Sequence, residues 1–356
     1  MLSSSQRRRP CLRTKLPDLD PSQPGREVLL DRTRSARRRA CSCHSRLCLA
    51  WGIRGTWRVP RLVPHGAQRD RDLEFSADGR AKRGVREAAA EIDELGYTAL
   101  WIANAPAMFE RARELLDATR RIVVATGIAS VWTHAPAAAA AAHRELTETY
   151  PGRFLLGLGV SHQQIVDREE AGRYSRPLER MREYLDALDS GPNPVQRDER
   201  VLAAQGPRML ALARDRGAGA HPYLVTVRHT ALARDVLGPD RLRAPEQAVV
   251  LEADPVRARM IGRQHLAPYL LLPNYTNNWL RLGFTADDLA GGGSDRLIDG
   301  LVAWGTTEAI RNRIAEHYRA GADHVSIQVA TEDGARLPRD EWRTLAAALH
   351  PASVRR

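Results

Sequence analysis

Four stretches of this chain set hydrogen-bonding or titratable side chains directly after small residues. In Gly157-Leu-Gly159-Val-Ser161-His162 an apolar run ends in a hydroxyl and an imidazole. Ala129 and Ser130 lead in the same way to Trp132 and His134, and a third run ends in His221, Pro222 and Tyr223. The fourth, Ala203-Ala204-Gln205-Gly206-Pro207, turns from an apolar run into a helix. Pro is well placed at a first helical position, and such a start leaves backbone N–H groups free for an anion. Gly157 and Gly159 allow a backbone or a flat ring to approach closely, or else only relieve crowding inside a sheet. The chemistry on offer is hydrogen bonding and proton exchange near an apolar surface, with one anion-binding turn. No His/Asp/Glu group has metal-site spacing, so no metal is expected. No Ser-His-Asp or Cys-His arrangement stands out, which argues against hydrolysis.

These residues need elements that bring them to one place. The stretch from Thr119 to His162 reads as strand 121–128, a polar loop, an alanine-rich helix and strand 153–160. Two apolar strands joined through one helix make a parallel βαβ unit, and their polar ends fall together at the carboxyl edge of the sheet. That edge is where α/β proteins carry their ligand chemistry. The rhythm continues. Helix 82–95 leads to strand 98–102 and helix 108–118 to strand 121–128. Helix 176–188 precedes strand 200–204, helix 207–216 strand 219–225, helix 229–237 strand 247–252, and helix 306–320 strand 324–329. Seven strands alternating with helices over about 250 residues predict an α/β (β/α)8 TIM barrel as one domain, residues 71–356. The first strand is not evident, since 71–75 and 49–59 are both poor candidates. A doubly wound sheet would need a Gly-rich dinucleotide turn, and none is present. Residues 272–300 interrupt the rhythm before the last strand. Long insertions at barrel loops commonly shape a pocket, which makes Tyr275 and Trp279 candidate pocket residues beside Trp132 and His134.

Charge separates residues 1–70 from the rest. They carry 16 Lys+Arg and 5 Asp+Glu, whereas 71–356 carry 38 of each. The basic excess therefore sits in the leader, and the neutral body offers no basic face for nucleic acid. All four cysteines, Cys11, Cys41, Cys43 and Cys48, lie there too, at spacings that match no common zinc pattern. Arg7-Arg8-Arg9 is followed by Pro10 and further charges, not by an apolar segment, and no run is long enough to span a membrane. Two lysines beside 52 arginines match a GC-rich bacterial genome better than an organellar transit peptide. Residues 1–70 are expected to be an Arg-rich disordered extension, as a misplaced start or a shifted frame would append. The protein is expected in the cytoplasm, without nucleic-acid or membrane partners, and a homodimer is compatible with the sequence.

Four longer stretches carry a family resemblance: 94–102 (ELGYTALWI), 119–128 (TRRIVVATGI), 151–162 (PGRFLLGLGVSH) and 174–185 (YSRPLERMREYL). With 204–209 (AQGPRM), 219–223 (GAHPY) and the last strand, they resemble the bacterial luciferase-like monooxygenase superfamily across roughly residues 82–348. Within it the chain is most similar to the actinobacterial branch that depends on the deazaflavin coenzyme F420. The resemblance implies a TIM barrel with an insertion, and a flavin or deazaflavin at the strand ends. It assigns cofactor contacts to Ala129, Ser130, Gly159, Ser161, the turn Ala204, Gln205, Gly206 and Pro207, and the strand end His221, Pro222 and Tyr223. It also implies a non-prolyl cis peptide bond near Ala129 and Ser130.

With hydride chemistry implied, the protein must orient the acceptor carbon and supply a proton. His162 is the expected proton donor, since an imidazole ordinarily titrates near neutrality; His221 is the next choice. His143 and His317 lie in helices and read as packing residues. Three functions follow: an F420-dependent oxidoreductase of a small organic substrate, an FMN-dependent monooxygenase on the same barrel, or a non-catalytic flavin-binding or degenerate barrel.

Overall fold

The computed structural model describes residues 63–66, 79–103, 107–168, 170–334 and 336–349. The first half runs β1 (Val63–Gly66), α1 (Gly79–Glu94), β2 (Ala99–Ile102), α2 (Met108–Ala118), β3 (Val123–Thr126), β4 (Ala129–Ser130), α3 (Pro136–Thr149), β5 (Phe154–Gly159), α4 (Gln163–Val166) and α5 (Pro177–Ser190). Next come β6 (Arg200–Leu202), α6 (Pro207–Arg216), β7 (Gly219–Ala220), α7 (Val227–Leu237), β8 (Leu242–Arg243), β9 (Glu246–Val250) and α8 (Pro255–Leu266). The chain then forms α9 (Pro273–Arg281), α10 (Ala286–Leu289), α11 (Asp295–Leu301), β10 (Val302–Trp304), α12 (Thr307–Arg319), β11 (Ser326–Val329) and α13 (Arg339–Leu349).

The strands form one parallel sheet in the order β10-β9-β11-β1-β2-β3-β5-β6-β7-β8, with β4 beside β5. Its strands read as near-continuous apolar runs because both faces are covered. Leu100 and Ile102 of β2 pack toward the helices, while Ala99 and Trp101 join Ala125, Val201 and Ala244 on the inner face. The sheet is strongly curled. Trp101 of β2 stacks on His221 after β7, with ring centroids 3.9 Å apart and planes at 11°. Four inter-strand steps separate those strands, which would place them roughly 19 Å apart in a flat sheet. Segment 242–246 joins both sides: Leu242 and Ala244 donate N–H bonds to Ala218 and Ala220, while Pro245 accepts one from Ser326.

Three expectations change. The missing first strand is Val63–Gly66, between β2 and β11, inside the stretch assigned to the leader. The other residues of 1–70, with the four cysteines, lie outside the described residues. The interruption at 272–300 is mostly helical. Its α9 and α11 pack with α8 and β9 into a second core of Ala248, Val250, Ile261, Trp279 and Ile298. The non-prolyl cis bond joins Gly127 to Ile128, two residues before the expected position; the expected strand 121–128 is shortened to β3, and β4 follows after the cis bond. Among the described residues no helix is long and apolar enough to cross a membrane.

Candidate active site

The carboxyl ends of β5, β7, β9 and β11 meet α9 in a cluster of rings and amides. His162, directly after the left-handed Ser161 (φ 53°), is the N-cap of α4. Asn274 of α9 holds it, its Nδ2 donating to His162 Nδ1 at 3.2 Å and to the Ser161 carbonyl at 3.2 Å. A ring nitrogen that accepts leaves the imidazole proton on Nε2. Burial lowers the pKa of His162 to about 4. The expectation of an imidazole titrating near neutrality is therefore corrected: His162 is neutral at pH 7 and offers an Nε2–H donor.

Tyr275 lies against His162, with centroids 5.2 Å apart, and Tyr269 and Tyr223 continue the layer at 5.1 and 6.1 Å from Tyr275. The Tyr223 hydroxyl donates to Gln328 Oε1 at 2.5 Å and lies 2.9 Å from the Tyr269 hydroxyl. Burial holds the phenols of Tyr223 and Tyr275 well above their ordinary range, so both keep their protons. Glu246, the first residue of β9, is wholly buried, and burial pushes its carboxyl up to about 8.

The Gly206 turn has a different character. Gly206 is the N-cap of α6, and no side chain caps that helix start. A methyl group built on Gly206 would meet only Arg281 Nη2, at 3.7 Å. Arg281 donates to Asn278 Oδ1 at 3.2 Å, while the buried Asn278 Nδ2 has no partner among the described residues. Uncapped backbone N–H groups and the Arg281 guanidinium thus lie side by side at the start of α6, which fits an anionic ligand group. Gln205 faces the protein instead: its Nε2 donates to the Tyr223 carbonyl at 2.7 Å, and its own carbonyl lies 2.8 Å from His229 Nε2. Ala204 is buried, and Pro207 opens the helix.

Other expected site residues are placed elsewhere or are already engaged. Ala129 and Ser130 are buried and pair with Leu158 and Gly159. Gly159 faces Ile128, whose side chain would lie 2.5 Å from an added methyl, so its small size serves packing within the sheet. His221 is occupied by its stack on Trp101 and by a 2.7 Å bond from Nδ1–H to the Ala244 carbonyl. Pro222 is buried, its carbonyl accepting from Glu246 N–H. Trp132 donates to the Val160 carbonyl at 2.7 Å and leans on Tyr174 at the edge of the ring cluster. His134 turns away toward Phe109 of α2. Trp279 is fully buried and donates to the Leu224 carbonyl at 3.0 Å, so it anchors the insertion and lines no opening. Asn274, Tyr269, Gln328, Asn278, Arg281 and Glu246 were not legible as site residues. Only Glu246, a carboxylate opening an apolar strand run, left a signal.

Residues 67–237 match the family model described as luciferase-like monooxygenase. A Mycobacterium tuberculosis protein named for coenzyme F420-dependent oxidoreductase activity is 25% identical over 293 residues, covering 63% of this chain and 83% of that protein. Among solved structures, an F420-dependent secondary alcohol dehydrogenase bound to an F420-acetone adduct superposes with a TM-score of 0.61 at 14% identity, covering 82% of this chain and 99% of that one. The FMN-bound oxygenating constituent of 3,6-diketocamphane monooxygenase from Pseudomonas putida gives 0.59 at 15% identity, covering 83% and 96%. At these identities the structural likeness speaks for the fold. The resemblance to the luciferase-like monooxygenase family, first read from the residues, thus holds in the family match, the sequence relative and the fold alike.

Proposed function

We propose that the protein is an oxidoreductase that transfers hydride between coenzyme F420 and a small organic substrate, in a curled sheet that closes as a (β/α)8 barrel. Closure is supported by β1 lying between β2 and β11 and by segment 242–246 bonding to both of its neighbours. The observation that carries the function is the pairing of an anion-binding turn at Gly206, Asn278 and Arg281 with an uncharged ring cluster at His162 and Tyr275. A cofactor with an anionic tail and a planar redox ring needs both surfaces. The name of the Mycobacterium relative favours the deazaflavin.

Bound there, the deazaflavin would supply or accept hydride. The Gly206 turn and Arg281 would hold its tail. His162, neutral and fixed by Asn274, would donate Nε2–H to a substrate oxygen, polarising the adjoining carbon. The tyrosine layer would exclude water from the reacting atoms. FMN-dependent oxygenation is the second reading, favoured by the likeness to the FMN-bound monooxygenase. Anaerobic titration with each cofactor, followed by oxygen-uptake assays, tests the two. The expected result is micromolar or tighter F420 binding without oxygen consumption; preferential FMN binding with oxygen uptake would replace this reading by the second.

A further inference from the structure

Residues His324, Ser326 and Gln328 alternate with Val325, Ile327 and Val329 on the approach to β11 and along it. The valines and isoleucine pack into the main core, so the polar residues face the hollow of the sheet. At its lower end Trp101 Nε1 donates to His324 Nε2 at 3.4 Å, and at its upper end Gln328 Oε1 accepts from Tyr223. Between them Ser326 lies in register with Glu246 of β9, and opposed residues of parallel strands point to the same side. Both are wholly buried. The carboxyl of Glu246 makes one hydrogen bond among the described residues, from Leu224 N–H to Oε2 at 3.0 Å. Among the described residues its Oε1 has no partner, and neither has Ser326 Oγ.

A buried carboxylate with no cation and one hydrogen bond is a costly arrangement, whereas a carboxylic acid with an O–H to give is not. The groups near it are Tyr223 beyond β7 and Tyr275 of α9, whose phenols keep their protons, His221, lowered by burial to about 4, His324, and Ser326 and Gln328 of β11. Tyr275 stands between this pocket and His162, and its hydroxyl makes no hydrogen bond among the described residues. We propose that Glu246 supplies the proton that a substrate oxygen gains in this site, acting through the hydroxyl of Tyr275. The inference rests on the oxidoreductase reading above. As hydride reaches a carbonyl carbon, the C=O π pair moves to oxygen and takes the Tyr275 proton. The phenol recovers its proton from the Glu246 carboxyl, whose Oε1 is the atom left without a partner among the described residues. The carboxylate then regains a proton from solvent. The substrate gains one hydride and one proton, and the reduced deazaflavin is oxidised. In the reverse direction Glu246 accepts the proton.

Infrared spectroscopy of the cofactor-free protein tests the acid directly. A carboxylic-acid C=O band is expected that vanishes as pH rises through about 8 and is absent in Glu246→Gln. Kinetics test the transfer. Glu246→Gln should retain F420 affinity, because its amide oxygen still accepts the Leu224 N–H, but should lower carbonyl reduction ~10²-fold or more. It should also abolish the fall in rate above about pH 8, and Glu246→Asp should restore part of both. Tyr275→Phe should lose the rate and keep the infrared band. Absence of the band in the wild type would overturn the proposal, as would a Glu246→Gln protein with unchanged rate and pH profile. Failure of the wild type to bind F420 would overturn the oxidoreductase reading and this proton transfer with it, whatever the infrared spectrum shows.

Discussion

Two titratable side chains of the site are held in their neutral forms by burial, His162 from below its ordinary pKa and Glu246 from above. For His162 the neighbouring amide decides the proton's position, so the amide is the place to intervene. Asn274→Asp would set a carboxylate against Nδ1, raise the imidazole pKa toward neutrality and move the proton to face it; NMR titration of the ring measures this. His162→Gln should keep cofactor binding and lower turnover, without removing any near-neutral limb of the pH profile. Glu246 also leaves a mark on stability. The unfolded chain releases this proton above about 4.5, whereas the folded chain keeps it to about 8, so stability is lost as pH rises through that window. Glu246→Gln removes that loss. Its melting temperature should exceed the wild type's by more at pH 8 than at pH 5.

Among the elements, α9 determines how the site is assembled, since it supplies Asn274, Tyr275, Asn278 and Arg281 and is pinned by Trp279, one turn after Tyr275 and in contact with its ring. Trp279→Ala should cost ~3–5 kcal/mol through the buried volume it empties, and the unanchored helix should weaken F420 binding as well; denaturant melts and cofactor titration read the two effects. Gly206→Asp at the start of α6 should weaken F420 binding alone, by opposing an anionic tail, and leave the melt unchanged. The α6 turn was legible because Gly-Pro marks a helix start whatever surrounds it. The function of α9 was not. Its side chains meet partners 55 and 113 residues away in sequence, and no local period records that. Strands β2, β3 and β5 were legible as apolar runs, whereas β1, with Pro64 and Gly66 in four residues, gets its extended form from β2 and β11 and has no propensity to show for it.

For the molecule as a whole, β1 makes residues 63–66 part of the fold. A chain beginning at residue 71 loses the strand between β2 and β11 and should melt lower or fail to fold, as a purely disordered extension would not require; circular dichroism of the truncated chain decides it. Acid should act on the whole fold too. His143, His162 and His221 are lowered to about 4 and His317 to about 3, all chiefly by burial. The unfolded chain takes up these protons below about 6.5 and the folded chain does not, so stability should fall as pH drops from there toward 4, by up to ~1.4 kcal/mol per pH unit for each histidine. The stack of Trp101 on His221 turns this into an optical signal. Imidazolium quenches indole emission far more than imidazole does, and the two rings belong to strands four places apart in the sheet. Trp101 is therefore a built-in lamp for the hollow of the molecule: it dims when His221 takes up a proton, and its emission shifts to the red when the curl opens and the rings part.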